Sequence, residues 1–128
     1  REWVLVQARS GRLAFAPEDV GSYWSSDAQV DVVAINWREK ALLLGECKWG
    51  TGAVGRGLIR ELLEDKTPKV LATLPDGGAG WTIHRAFFAR AGFTDAAQTE
   101  GQEHKVALVT LAQLDQALRE AAAELPLP

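Results

Sequence analysis

The sequence has little sulfur: its 128 residues include one cysteine, Cys47, and no methionine. A single thiol excludes an internal disulfide bond and fits a reducing compartment, so we expect a cytoplasmic protein. No apolar run approaches the ~20 residues that a membrane-spanning helix needs, and no signal-peptide pattern opens the chain, so we expect no membrane partner. Because the sequence begins at Arg1 and lacks methionine, we expect it to be a fragment or a processed form of a longer protein.

Two further absences concern nucleotides and nucleic acids. The sequence has no G-x-x-x-x-G-K-[ST] phosphate-binding loop, so we do not expect it to hydrolyse ATP by that route. Its net charge is −3, which is not the general basic character of a nucleic-acid-binding domain. Residues 1–60 nevertheless carry 8 Lys+Arg against 7 Asp+Glu, whereas residues 61–128 carry 6 against 10. Any nucleic-acid-binding face should therefore lie in the first half, with weak, salt-sensitive phosphate contacts.

The most informative stretch is residues 29–48, QVDVVAINWREKALLLGECK. Two runs rich in Val, Ile and Leu flank a polar tip, and both have the length of a strand, which predicts a β-hairpin. Asp31 interrupts the first run, and Glu46 and Lys48 end the second, although buried strands rarely carry charged residues without a reason.

The expected register of this hairpin suggests that reason. If the hairpin is centred between residues 38 and 39, paired residue numbers sum to 77, so Asp31 lies opposite Glu46 and Gln29 opposite Lys48. Opposed Cβ atoms are ~5 Å apart, and two carboxylates that close repel by roughly 3 kcal/mol at an effective dielectric of ~20. Glu46 and Lys48 share a face of the strand, while Cys47 points to the other.

Protonation of one carboxylate, or a cation between the two, relieves this repulsion. Two carboxylates with nearby carbonyls and water form a hard oxygen site that suits Mg²⁺ or Mn²⁺. With Lys48 beside it, such a site can activate water against a phosphodiester. The alternative is a salt-bridge network of Asp31, Glu46 and Lys48 without metal, which is costly to desolvate and weakly stabilising.

Asp31, followed after fourteen residues by Glu46-Cys47-Lys48, resembles the D…(D/E)-x-K core of the PD-(D/E)-x-K nuclease superfamily. More of the chain is similar to the C-terminal domain of archaeal-type P-loop ATPases, through GRLAF, VGSYW, QVDVVAINWREKALLLGECKW, AFFARAGFTD and VALVTLAQL. The resemblance implies an α/β fold, with a central mixed β-sheet flanked by helices, that is restriction-endonuclease-like. It also implies that residues 1–128 form a single nuclease-like domain, attached in the same chain to an upstream P-loop ATPase.

The same resemblance implies roles for particular residues. Asp31, Glu46 and Lys48 would be catalytic, and Mg²⁺ or Mn²⁺ would be bound by Asp31, Glu46 and the backbone carbonyl of Cys47. Superfamily members often add an acid from an N-terminal helix, for which Glu2 is a candidate; the alternative is a solvated acid in a first helical turn. Some members carry a functional Gln or Lys in the helix after the motif; residues 49–97 contain no Gln, and Lys66 is a candidate substitute.

Arg56 and Arg60 are four residues apart in the first predicted helix, so they share one face and could contact a phosphate backbone. The alternative is an ion pair between Arg60 and Glu64. His84 has no second His or Cys at ligand-like spacing, so we expect a partly exposed strand histidine without a metal role. Beyond the hairpin, the pattern predicts strands at 20–25, 81–89 and 106–111, helices at 53–65, 66–74, 94–101 and from 111 to Pro126, and the end of a helix at 2–9.

Tyr23 and Trp24 should face opposite sides of their strand, with one of them in the core. For function, the first hypothesis is a metal-dependent phosphodiesterase that acts on DNA, with RNA as the alternative substrate. The alternative is a catalytically inactive module that binds nucleic acid or a partner and regulates the upstream ATPase, since a fold does not carry an activity with it. Apolar surface exposed in the isolated fragment could also pair two copies as a homodimer.

Overall fold

The computed structural model describes residues 15–25 and 28–124, and for residues 121–124 it describes the backbone alone. Predictions for Glu2, for residues 2–9 and for Pro126 lie outside this part of the chain. In these two described ranges, five strands form one sheet in the order β1-β2-β3-β4-β5, antiparallel from β1 to β3 and parallel from β3 to β5. The predicted mixed α/β sheet is confirmed. The strands are β1 (Asp19–Trp24), β2 (Gln29–Asn36), β3 (Ala41–Lys48), β4 (Thr82–Ala89) and β5 (Val106–Thr110).

Within the described residues, four α-helical segments flank the sheet. Thr94 caps α3, because its side chain accepts a hydrogen bond from the Ala97 N–H. Thr110 and Gln113 form the expected capping box before α4, with reciprocal bonds of 2.8 and 3.2 Å. No helix among the described residues is both long and apolar enough to span a membrane. The helices are α1 (Arg56–Glu61), α2 (Thr67–Leu71), α3 (Asp95–Glu103) and α4 (Leu111–Glu124), with a 3₁₀ turn at Pro75–Gly78.

The helices predicted at 53–65 and 66–74 form one continuous helix. A π-helical turn, Leu62–Lys66, joins α1 to α2, and the residues at both joins have right-handed helical dihedral angles. Pro68 explains this turn, because proline has no N–H to donate and its ring clashes with the carbonyl four residues earlier. The Thr67 N–H and hydroxyl donate instead to the Leu62 carbonyl, five residues back. The short second helix predicted at 66–74 is present as α2, with Pro68 in its first turn, but it is not separated from the first helix as the two predicted ranges imply.

Both faces of the sheet are covered. Leu42 and Leu44 belong to a core cluster with Ile59 of α1, whereas Leu43 belongs to a second cluster on the opposite face. Because β3 lies between β2 and β4 and is covered on both sides, its apolar run is continuous rather than alternating. The even-numbered face of β3, which also carries Glu46 and Lys48, is therefore the face under α1.

Aromatic residues follow the expected pattern. Tyr23 packs against the first core cluster, while Trp24 is 79% exposed, so one of the pair faces the core as predicted. His84 is half-buried on β4 and stacks on Phe15 with ring centroids 5.7 Å apart. That position agrees with the partly exposed strand histidine that the sequence predicts.

Candidate functional site

The register of the β2–β3 hairpin is the predicted one. Its pairs run from Val32 with Gly45 to Asn36 with Ala41, and every pair of residue numbers sums to 77. The ladder of paired residues ends at Val32 and Gly45. The direct pairing that we expected between Asp31 and Glu46 is therefore wrong. The two strands separate at the point where the charged residues begin.

A β-bulge lies on β2 at this point. Between the pairs Gly21–Val33 and Tyr23–Val30, β1 advances two residues and β2 advances three. Val30 and Val32 consequently belong to core clusters on opposite faces, although they are two residues apart. A bulge re-aims the side chains next to it, and bulges are common beside active sites. Asp31 lies inside this bulge, between Val30 and Val33.

Asp31 is held against β3 by its side chain. Its Oδ2 accepts a hydrogen bond of 2.8 Å from the Cys47 N–H. The carboxylate thus bonds to the β3 backbone at the residue between Glu46 and Lys48. This bond holds Asp31 beside the motif that the sequence analysis singled out.

Glu46 is a buried acid, only 2% exposed. Burial raises the pKa of Glu46, and the hydrogen bond and charge of Lys66 oppose that rise. The charge of Asp31 raises the pKa further, while Lys48 lowers it. Asp31, Glu46 and Lys48 are therefore electrostatically coupled, with Glu46 at the centre of the group.

Lys66 is the main addition that the structure makes to this group. Its Nζ lies 2.9 Å from Glu46 Oε1 and 3.8 Å from Glu61 Oε1, and its side chain is 16% exposed. Sequence analysis identified Lys66 only through a superfamily analogy, and nothing in the spacing shows that a residue of the helix contacts the end of β3.

A small cleft opens beside Glu46. Its volume is about 40 Å³, which is close to the volume that one or two water molecules occupy. The lining combines two acids and two amines with an apolar wall, so a small ion and water would fit, whereas a large ligand would not. The lining residues are Glu46, Lys48, Leu58, Glu61, Leu62, Lys66 and Phe87.

The donor atoms of the group fit a hard divalent cation. Asp31 and Glu46 supply carboxylate oxygens, and Cys47 supplies a backbone carbonyl at the same end of β3. Burial, followed by the charge of Asp31, raises the pKa of the Cys47 thiol, and the Cys47 side chain packs against the second core cluster, on the face of β3 opposite Glu46. Oxygen donors without a thiolate favour Mg²⁺ or Mn²⁺ over softer metals.

Arg56 and Arg60 both contact Glu100 of α3. Their Nε atoms lie 3.3 and 3.1 Å from its two carboxylate oxygens. The partner of Arg60 is thus Glu100 and not the Glu64 considered from helical spacing. Both arginine side chains remain nearly half exposed, so their contact with phosphate stays a prediction.

A second acidic group surrounds Glu100. Ligand atoms of Glu100, Glu103 and His104 lie within 4.8 Å of one another, and His104 Nε2 is 3.5 Å from Glu100 Oε1. Both carboxylate oxygens of Glu100 already contact arginines, and the positive guanidinium groups oppose a further cation. We therefore interpret this group as a structural link between α1 and α3.

A wider cleft of about 570 Å³ is lined by residues from the whole length of β5, from the segment after β4, and from α3 and α4. Its lining shares no residue with the cleft at Glu46, and none of the lining residues is an acid, a base or a cysteine. It therefore offers surface but no group for acid–base chemistry. It is lined by Ala91, Gly92, Phe93, Gln98, Gln102, Val106, Leu108, Thr110 and Gln113.

Solved structures identify the fold class. The crystal structure of AF1548, a protein of unknown function, matches 98% of this chain and 70% of its own, with a TM-score of 0.54 and 14% identity. The restriction endonuclease MspJI, solved in complex with a 27-mer oligonucleotide, matches 93% of this chain with a TM-score of 0.50 and 20% identity. This chain spans only 28% of the length of MspJI. The fold is restriction-endonuclease-like, as the sequence predicts.

The family follows from the sequence match. Residues 1–66 match DUF234, a family described as "Archaea bacterial proteins of unknown function". Because the match covers just over half of the 128 residues, the chain belongs to this family. No curated protein sequence matches the chain.

Proposed function

We propose that this domain is a metal-dependent phosphodiesterase that acts on nucleic acid, with DNA preferred to RNA. The observation that carries the proposal is the β-bulge at Asp31, which directs that carboxylate to the Cys47 N–H beside buried Glu46. The restriction endonuclease with a similar fold was solved with an oligonucleotide, which supports nucleic acid as the substrate.

Each residue of the group has a distinct role in this proposal. Asp31, Glu46 and the Cys47 carbonyl would hold Mg²⁺ or Mn²⁺, which lowers the pKa of bound water and stabilises charge on a phosphate when it is bound. The Cys47 N–H fixes Asp31, so one ligand is pre-oriented by the backbone. Lys48 would donate hydrogen bonds to a phosphate oxygen or to the attacking water and offset the developing negative charge.

Arg56 and Arg60 would provide phosphate contacts beside the site. Their Nε atoms face Glu100, and half of each side chain faces solvent, which fits a pair of guanidinium groups held in place for an anion. Four further predictions belong to this proposed function. They are an upstream P-loop ATPase in the same chain, a single domain over residues 1–128, a cytoplasmic location and a homodimer.

The second candidate is an inactive module that binds nucleic acid or a partner and regulates the ATPase. The Lys66–Glu46 ion pair favours it, because an ammonium group already balances the buried carboxylate without a metal. The net charge of −3 favours weak binding as well.

Cleavage assays on plasmid, single-stranded DNA and RNA, with Mg²⁺ or Mn²⁺, separate the two candidates. We expect the wild-type domain to cleave DNA and the Lys48→Ala variant to lose that activity. The matched control is Lys105→Ala, which removes an exposed lysine of the turn before β5 and should cleave normally. If neither wild type nor Lys48→Ala cleaves but both bind DNA, the inactive module is correct. Undiminished cleavage by Lys48→Ala would indicate a contaminating nuclease.

A further inference from the structure

Lys66 occupies the position where a cation would contact Glu46. The Lys66 Nζ is 2.9 Å from Oε1, inside the same small cleft that Lys48 lines. Glu46 is 2% exposed, so water contributes little to balancing its charge. Lys66 therefore serves as the counter-ion of this carboxylate.

The π-helical turn explains how a lysine of the helix reaches the sheet. In a regular α-helix, residues five apart are rotated by about 140° from one another, so both would not face the sheet. Leu62 and Thr67 are nonetheless both buried. Lys66 lies in the turn between them and points to Glu46. π-helical turns inside α-helices are frequent at functional sites.

Side-chain bonds hold this turn in place. The Thr67 hydroxyl donates to the Leu62 carbonyl at 2.6 Å and accepts from Arg85 Nε of β4 at 3.1 Å. The turn is thus tied to the sheet one residue after Lys66. This arrangement holds the lysine over Glu46 rather than leaving it free in solvent.

We propose that Lys66 is a built-in counter-ion that competes with a divalent cation for Glu46. The inference rests on the metal site of the proposed function. A divalent ion beside an ammonium group is repelled twice as strongly as a monovalent one at the same distance, and the site is shielded from water. Binding of the cation therefore opposes the Lys66 contact with Glu46, and removal of Lys66 makes the carboxylate more available to the cation.

The test is calorimetric titration of Mn²⁺ into the metal-free protein at about pH 8, where ordinary carboxyl groups are ionised. Wild type is compared with Lys66→Met, which keeps a long side chain but removes the charge. Lys69→Met is the matched control, because Lys69 lies on the same helix and pairs with exposed Asp65 at 3.1 Å. We expect Lys66→Met to bind Mn²⁺ about tenfold or more tightly than wild type and Lys69→Met to match wild type.

The outcomes separate the inference from the proposed function. Equal Mn²⁺ affinities in wild type and Lys66→Met overturn the inference and leave the metal site intact. No Mn²⁺ binding by either protein overturns both. If Lys66→Met does not fold, NMR of the lysine side chains in wild type decides, because Mg²⁺ must shift the Lys66 signal if the ion displaces it. A Lys66 signal that stays unchanged while Mg²⁺ binds overturns the inference.

Discussion

Glu46 and Glu100 are both buried acids that pair with cations from the continuous helix over residues 56–71, yet their surroundings differ. Glu100 is 6% exposed and contacts two arginines, and His104 lies nearby. Glu46 is 2% exposed, contacts Lys66, and lies near the charge of a second acid, Asp31.

The difference shows which carboxylate has room for further chemistry. Arginines contact both oxygens of Glu100, and these side chains reach solvent, so the group stabilises the packing of α3 on α1. At Glu46 the ion pair uses one oxygen, and the carboxylate borders a cleft. A buried carboxylate that feels the charge of a second acid favours a further cation, whereas a carboxylate between two arginines does not.

The largest difference should be in cleavage. Glu46→Gln should lower metal-dependent cleavage by roughly 10³-fold, because it removes a charge that holds the metal and stabilises the transition state. Glu100→Gln should stay within about tenfold of wild type, since Glu100 acts only by positioning two arginines. Initial rates on plasmid DNA measure both. Equal losses in the two variants would contradict the distinction between the two acids.

Stability should also separate the two ion pairs. Without metal, Lys66→Met should lower the free energy of unfolding by about 3 kcal/mol, because it leaves a buried carboxylate without its partner. Arg60→Met should cost about 1 kcal/mol or less, since its guanidinium is nearly half exposed and Arg56 remains with Glu100. Urea unfolding with a chelator present provides the comparison. A cost for Arg60→Met as large as that for Lys66→Met would show that Glu100 is the more critical acid.

Salt dependence of DNA binding tests the Glu100 region further. Replacing Arg56 and Arg60 by Gln should reduce the slope of log affinity against log salt by about 1.8, if each contacts one phosphate of duplex DNA. Arg119→Gln is the control, because Arg119 is 76% exposed on α4 and pairs with Asp115. An unchanged slope in the double variant would place the DNA-binding face elsewhere.

The smallest expected effect is a pH dependence of stability. Because the pKa of Glu46 is raised in the folded protein, the folded state holds this proton more tightly than the unfolded state. The stabilisation that this proton gives is complete below pH 4.5, the ordinary pKa of glutamate. It is lost as the pH rises through the pKa that Glu46 has in the folded protein. Lys66→Met should extend this loss to higher pH, since Lys66 lowers the pKa. Unfolding curves of wild type, Glu46→Gln and Lys66→Met across this range provide the test. If the free energy of unfolding of wild type changes with pH in the same way as that of Glu46→Gln, the raised pKa of Glu46 is refuted.

Local patterns were sufficient to predict much of the fold. Two runs rich in Val, Ile and Leu on either side of a charged tip predict the hairpin, and the centre of the tip between residues 38 and 39 predicts its register, because an antiparallel pair extends outward from its turn. Capping residues predict the start of α3 and α4, because a capping contact is local. The Thr94 and Thr110 hydroxyls each accept a hydrogen bond from the N–H three residues later.

The contacts that define the site depend on residues far apart in the sequence. Lys66 and Glu46 are twenty residues apart, and Arg60 and Glu100 forty, so spacing carries no information about either pair. The bulge at Asp31 arises from a shift against β1, and the π-helical turn arises from Pro68 together with the Thr67 bonds. The residues of the motif could be predicted, whereas the orientation of Asp31 and the counter-ion of Glu46 could not.

The central claim is that Asp31 and Glu46 together hold a divalent cation, and calorimetric titration with Mn²⁺ tests it most directly. We expect wild type to bind Mn²⁺ and Asp31→Asn to lose that binding with its fold intact. The control is Asp19→Asn, which changes an exposed acid of β1 that bonds its neighbouring backbone N–H, and it should bind Mn²⁺ as wild type does. Equal, tight Mn²⁺ binding by wild type and Asp31→Asn would contradict the claim.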